Sequence, residues 1–438
     1  MNENAKKLIR RTVFLGLTLV ALTSATFTQA QTTRELMDKV DVLTEEVAEL
    51  RQQLNLPATE EERQASVYGM SPVAAKVYGA NRGLSIGGYG EFYYKNKLDE
   101  GQHNSGDFYR FITYVGYKFN DRVIMNTEIE HEHATTSGNY AGKGGSVSVE
   151  FSYLDFLIQE SFNLRMGNLL MPMGFLNTLH EPVFYHGNLR PSLEKYIIPT
   201  TWRELGIGAH GSFAENFTYA AYIVNGLDGN DFGSSGVRGG RQKGNRVAFD
   251  DLGLLAALDW EHEGVFWLGG SFYKGGADHN GMTNSDLAEI TVSNWIGEMH
   301  AQYRNKGFQG RAMFATAGID GAEELGTALD KLIPKTQRGF YVEAAYNIAP
   351  MIFENPSFTL TPFVRVEDLA LQNSIPNIPD GSGGYYAASP SKDMTIWVIG
   401  LETKPHDQVV VKLDYVKTST EADQDPSDEI RFGGGFAF

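Results

Sequence analysis

The chain of 438 residues has no cysteine. That excludes disulfides, thiolate metal centres and thiol nucleophiles. It also lacks a surplus of basic residues. The formal net charge is −17, and −20 once residues 1–30, with four Lys/Arg and one Glu, are set aside. Such a balance argues against nucleic acid as a partner. Beyond one short stretch near the N-terminus there is no long apolar run, and mean hydropathy is −0.28, which excludes a helical membrane bundle. No G-x-S-x-G elbow, phosphate loop or zinc box is present, so catalysis is not expected.

What is present begins with a secretory signal. Lys6, Lys7, Arg10 and Arg11 precede the apolar run Thr12 to Leu22, and Thr28-Gln29-Ala30 ends in a small-x-Ala pattern. A basic region, a short apolar core and small residues together mark a signal peptide over 1–30. Residues 31–56 then carry Leu36, Val40, Leu43, Val47, Leu50 and Leu54 at alternating spacings of four and three. This is an a/d heptad pattern, with Val40, Leu43, Val47 and Leu50 as its oligomerising seam. The alternative is an amphipathic helix packed on its own chain. Pro57 stops the helix, and 57–83 reads as a linker.

From residue 84 onward, segments of alternating apolar and polar residues follow one another at 84–96, 107–119, 121–133, 147–159, 162–170, 203–213, 216–226, 245–260, 265–274, 288–304, 307–319, 336–347, 357–367, 392–403, 407–418 and 428–438. Their connections alternate between short and long. The expected fold is all-β: a transmembrane antiparallel β-barrel of about sixteen strands after a short coiled-coil helix. Alternate residues of a spanning strand face lipid, so a polar average is no objection. The 48 glycines, 21 tyrosines and 26 phenylalanines suit aromatic girdles and close strands. Phe432, Phe436 and Phe438 share one face of the last segment. That pattern resembles the recognition strand read by barrel-assembly machinery.

Three further stretches resemble the phosphate-selective porin (O and P type) superfamily over 84–438. They are Ile86-Gly-Gly-Tyr-Gly-Glu91, Arg165-Met-Gly-Asn-Leu-Leu-Met-Pro-Met-Gly-Phe175 and Arg203-Glu-Leu-Gly-Ile207. With the heptads, the layout is similar to that of the coiled-coil, dicarboxylate-type trimeric porins. The resemblance implies a sixteen-stranded homotrimer whose loop 171–202 folds inward as a constriction. The residues agree: at 32 residues this is the longest connection, and long loops are usually functional or disordered. Its Met171, Phe175, Leu176, Phe184, Tyr185 and Tyr196 suit a packed position, while His180, Glu181, His186, Arg190, Glu194 and Lys195 offer charge. The alternative is an outward loop capping the oligomer.

Strand parity assigns the inner face. The expected pore constriction and lumen residues are Arg110, Glu128, Glu130, Arg165, Arg190, Lys195, Arg311, Arg365 and Lys412. Segment 147–159 has no consistent parity, because either choice turns Glu150 or Asp155 toward lipid. The mixed interior points to a water-filled pore passing small hydrophilic, anionic solutes rather than a strict phosphate channel. The alternative from another class is a non-conducting barrel tethering the outer membrane to the cell wall through its coiled coil.

The expected location is the outer membrane of a Gram-negative bacterium, with the N-terminus periplasmic and lipid and lipopolysaccharide as surroundings. No cofactor is expected. Glu130-His131-Glu132-His133 lacks a third ligand partner, and the runs Asn225 to Asp231 and Asp423, Asp425, Asp428 offer oxygens for Ca²⁺ or another divalent ion without EF-hand spacing.

Overall fold

The protein is described by a computed structural model covering residues 69–438 except 81, 140–141, 215 and 423–424. The signal peptide and the heptads, with Val40, Leu43, Val47 and Leu50, lie outside the described residues.

Sixteen antiparallel strands form one closed barrel. They are β1 (Gly83–Lys97), β2 (Ser105–Asn120), β3 (Val123–Glu132), β4 (Ser146–Gln159), β5 (Phe162–Leu170), β6 (Arg203–Phe213), β7 (Phe217–Asn225) and β8 (Leu252–His262), then β9 (Phe266–Gly276), β10 (Ser293–Asn305), β11 (Phe308–Asp320), β12 (Thr336–Tyr346), β13 (Thr359–Ser374), β14 (Asp393–His406), β15 (Val409–Thr420) and β16 (Glu429–Ala437). Each strand pairs with its sequence neighbours, and β1 closes on β16 with Tyr89 opposite Ala437. Closure leaves no open edge, so the strand backbone finds its partners within the sheet.

The side chains are arranged inside out relative to a water-soluble sheet. In β12, Phe340 and Val342 are 44% and 52% exposed, whereas Tyr341 and Glu343 between them are 1% and 4% exposed. Phe432 on β16 and Phe438 just beyond it also face outward, and Phe438 stacks on Phe111. An apolar exterior over a polar, buried interior is stable only with hydrocarbon outside. The two-residue turn Lys306-Gly307, between β10 and β11, has positive φ at both positions (47° and 84°). That is the mirror-image hairpin geometry which matches strand twist, and glycine carries it without strain.

The expected segments and the observed strands correspond one to one, and three boundaries move by five or more residues. β8 begins at Leu252 rather than 245, β10 at Ser293 rather than 288, and β13 runs on to Ser374. Residues 245–251 belong instead to a folded loop, where Ala248 N–H donates to the Gln242 side chain.

The conflict in segment 147–159 has a physical resolution. Glu128 pairs with Phe151 and Ile129 with Val149, so Glu150 is an extra residue in a β-bulge. Val147 and Val149 point out before the bulge, Phe151, Tyr153 and Asp155 point in after it, and both carboxylates end inside. A bulge shifts parity by one residue, which strict alternation cannot accommodate.

Two segments occupy the interior. Loop 171–202, between β5 and β6, is largely buried. Residues 69–80, read above as linker, also pack inside, against the inner faces of β1 to β5. The Asn126 side chain donates to the Ala74 carbonyl, Tyr78 donates to Asp155, and a Cβ on Gly116 would collide with Val77. Local sequence could not reveal this. Met70, Val73, Ala74 and Val77 are spaced as one helical face, but over only two turns of small residues, and what buries them is the distant wall.

Candidate functional site: the lumen and its basic vestibule

Loop 171–202 is held from both sides of the barrel by charge-assisted hydrogen bonds. On one side, Tyr185 donates to Glu91 at 2.7 Å, and Tyr114 donates to Glu181 at 3.1 Å. His180 Nε2 lies 3.1 Å from Glu128. On the other side, Arg365 reaches the carbonyls of His186 and Leu189, and Lys412 Nζ donates to the Tyr185 carbonyl at 2.6 Å. Arg311 donates to the Phe184 carbonyl, and Asp414 accepts from Asn188 N–H. Within the loop, Asn177 bonds the Met171 and Trp202 carbonyls and so ties its two ends together. Glu194 accepts from Leu176 N–H and from Tyr341. Burial raises its carboxyl to about 7 against the pull of those two donors. Many wall contacts end on loop carbonyls and amides, so they fix the backbone itself.

Between this loop and the long-loop end of the barrel lies a cavity of about 350 Å³. Its cations come from three sources: Arg110, Arg203, Arg365 and Arg431 from the wall, Arg190 and Lys195 from loop 171–202, and Arg238, Arg241 and Lys243 from loop 226–251. Nine cations therefore face four carboxylates, Glu130, Glu132, Glu150 and Glu367. Arg110 pairs with Glu91 at 2.8 Å, Arg203 with Glu150 at 3.2 Å, and Arg365 with Glu343 and Glu367 at 3.0 Å each. Arg431 pairs with Glu429 at 2.6 Å. The other five, Arg190, Lys195, Arg238, Arg241 and Lys243, have no carboxylate at ion-pair distance among the described residues.

The three arginines among them are held in place by backbone carbonyls. Arg241 donates to the carbonyls of Pro199, Thr200 and Thr201, Arg238 to those of Lys195 and Thr200, and Arg190 to that of His180. Gln242 anchors loop 226–251 by donating to the Gly226 and Ala248 carbonyls. Burial, and then the neighbouring Arg238, holds the Lys195 ammonium below the ordinary lysine range. Burial followed by Arg241 and Arg203 does the same to Lys243. Uncompensated fixed cations in a narrow, partly desolvated space create a positive potential that attracts anions and repels cations.

Five of the nine expected lumen residues line this cavity: Arg110, Glu130, Arg190, Lys195 and Arg365. The other four face inward but serve elsewhere. Glu128 binds His180, Arg311 holds the Phe184 carbonyl, and Lys412 holds that of Tyr185. Arg165 pairs with Asp155 at 2.8 Å beneath Tyr78. Parity locates a face, but pairing decides whether a charge is available. Sequence reasoning missed Arg203, Arg238, Arg241 and Lys243. The last three sit in the run Arg238-Gly-Gly-Arg-Gln-Lys243, a visible basic cluster whose inward direction is not encoded locally.

The candidate divalent sites fare differently. His131 and His133 are exposed at the rim, with His133 on Asp107 at 2.7 Å. Asp228 caps a turn, and Asp425 and Asp428 accept from Thr420 and Tyr415. Among the described residues, the one group of three potential metal ligands is Glu128, Glu150 and His180.

Fold and site together define a porin-type, sixteen-stranded β-barrel with an inward loop. Among solved structures, the Salmonella typhi OmpF complex with daunomycin matches with a TM-score of 0.55 at 13% identity, over 82% of this chain and 98% of that one. A loop L8 deletion mutant of OmpT, an outer membrane protein of Vibrio cholerae, matches with a TM-score of 0.50 at 10% identity, over 82% and 100%. At these identities the shared property is the fold. No family model matches the sequence. An uncharacterized protein of Aquifex aeolicus (strain VF5) is 35% identical over 361 residues, covering 80% of this chain and 79% of that protein. The chain belongs to that protein's family.

Proposed function

We propose that this chain is an outer-membrane porin through which small hydrophilic anions, carboxylates among them, diffuse passively. Loop 171–202 narrows the path, and the basic vestibule selects the sign of charge. The observation that carries the reading is the excess of cations over carboxylates in the cavity, five of them without an ion-pair partner among the described residues. The porin-type barrel and its apolar exterior support an outer-membrane location, with the long loops outside and the N-terminus periplasmic. The stretches 86–91, 165–175 and 203–207 support kinship with the phosphate-selective (O and P type) porins. Paired with the heptads of 31–56, they support a homotrimer assembled by the barrel-assembly machinery, with Phe432, Phe436 and Phe438 as its recognition face.

A second reading, a non-conducting barrel that tethers the outer membrane to the cell wall, draws support from the interior packing of 69–80 and 171–202. Liposome swelling separates the two. Proteoliposomes in isotonic gluconate should swell faster than those in an uncharged sugar of similar size. No swelling in either solute, from heat-modifiable folded protein, would favour the tether.

A further inference from the structure

His180 stands on loop 171–202, facing Glu128 of β3 and Glu150 at the bulge of β4. All three side chains are at most 2% exposed. The His180 Nδ1 atom lies 3.0 Å from the Asn177 carbonyl. A carbonyl can only accept, so Nδ1 carries a proton and Nε2 is the atom turned to the wall. Nε2 lies 3.1 Å from Glu128 Oε1 and 3.5 Å from Glu150 Oε2. With metal bonds of about 2.0–2.1 Å, tetrahedral ligand atoms stand roughly 3.3–3.4 Å apart; Nε2 is near that spacing from each oxygen, and all three ligand atoms lie within 4.8 Å of one another.

The oxygens also have unmet capacity. Arg203 occupies Glu150 Oε1 at 3.2 Å, whereas Glu150 Oε2 and Glu128 Oε2 are buried and accept no hydrogen bond. Glu181, the next residue, carries another buried oxygen in the same condition. Buried carboxylate oxygens left without donors are costly, and a cation satisfies them.

We propose that Glu128, Glu150 and His180 form a binding site for a divalent transition ion of the Zn²⁺ class, which staples loop 171–202 to β3 and β4. One imidazole with two carboxylates matches zinc and its neighbours, whereas Ca²⁺ takes six to eight oxygens. The Asn177 carbonyl acts as the outer partner that orients the ligating ring. Ligation needs the Nε2 lone pair, so the proton that Nε2 shares with Glu128 passes to water as the Nε2–metal bond forms, with no change of oxidation state.

The test uses the full-length chain refolded in detergent with Co²⁺ and then desalted. The expected result is one Co²⁺ per chain, with visible d–d absorption that Zn²⁺ abolishes. His180→Ala removes the absorption while the protein stays heat-modifiable, and His131→Ala at the exposed rim leaves it intact. Should His180→Ala fail to fold, Glu150→Gln provides the second reading and weakens Co²⁺ binding about tenfold or more. Folded wild-type protein without Co²⁺, absorption that persists in folded His180→Ala, or unchanged affinity in Glu150→Gln would each overturn the proposal. None of these readouts depends on whether the barrel conducts.

Discussion

The arginines of the inner wall and those around the vestibule are the same residue type in two different electrostatic states. Arg165 sits on Asp155 at 2.8 Å beneath residues 69–80, with the ring of Tyr153 4.3 Å from its guanidinium. Arg365 is shared between Glu343 and Glu367. Their charge is cancelled where it stands. Arg190, Arg238 and Arg241 are instead held by backbone carbonyls, which orient a guanidinium without neutralising it. A carboxylate partner turns an arginine into a structural clamp, and a carbonyl partner leaves its field intact. Net charge says nothing of this difference: a strongly acidic chain carries a basic cavity because its excess acids lie elsewhere.

The comparison is broken most directly by removing a clamp. Arg165→Met leaves Asp155 buried with fewer donors and should destabilise the barrel by about 3 kcal/mol, at the low end for a broken buried pair because His210 and Tyr78 remain on the carboxylate. Urea unfolding in detergent measures this, and anion preference should be unchanged because Arg165 does not line the cavity. A variant as stable as wild type would show that the pair is not a clamp.

The opposite manipulation sharpens the contrast. Arg190→Gln, Lys195→Gln and Lys243→Gln together remove three uncompensated charges. At roughly 8 Å in water-like dielectric each is worth about 0.5 kcal/mol, or about twofold in anion preference. The triple variant should lose close to tenfold in anion-to-cation permeability ratio, and less at high salt. Its stability should fall less than that of Arg165→Met.

Titration is the gentler form of the same experiment. A base whose folded-state pKa is lowered loses its charge earlier as pH rises. Lys195 and Lys243, both held below the ordinary range of about 10.4, should therefore surrender anion preference at alkaline pH before exposed lysines titrate. Reversal potentials between pH 7 and 10 should drift toward zero by about fourfold in permeability ratio, and the Lys195→Gln, Lys243→Gln variant should drift less. The smallest effect is expected for Lys95→Ala, which removes a rim pair with Glu429 at 3.7 Å outside the cavity. Stability should change by less than about 0.5 kcal/mol, and selectivity by less than for any single vestibule cation.

Much of the fold was legible because a spanning strand writes its two faces as alternation. β12, with Phe340 and Val342 against Tyr341 and Glu343, is the clearest case. Loop 171–202 was legible as an inward-packed segment from its length and its mixture of aromatic and charged residues. Three features were not. The bulge at Glu150 breaks alternation by one residue, and only the register of β3 against β4 reveals it. Residues 69–80 are buried by a wall distant in sequence. The inward turn of Arg238, Arg241 and Lys243 depends on carbonyls of another loop. Each of these is a non-local contact, which composition and period cannot carry.

The central claim is that uncompensated vestibule cations set the sign of permeant charge in a conducting pore. The most direct measurement is the reversal potential of the purified protein in a planar bilayer under a tenfold KCl gradient. The account predicts stepwise openings with a reversal potential shifted toward the chloride equilibrium value, and a shift toward zero in the Arg190, Lys195, Lys243 triple variant. Openings with a reversal potential on the potassium side would contradict it.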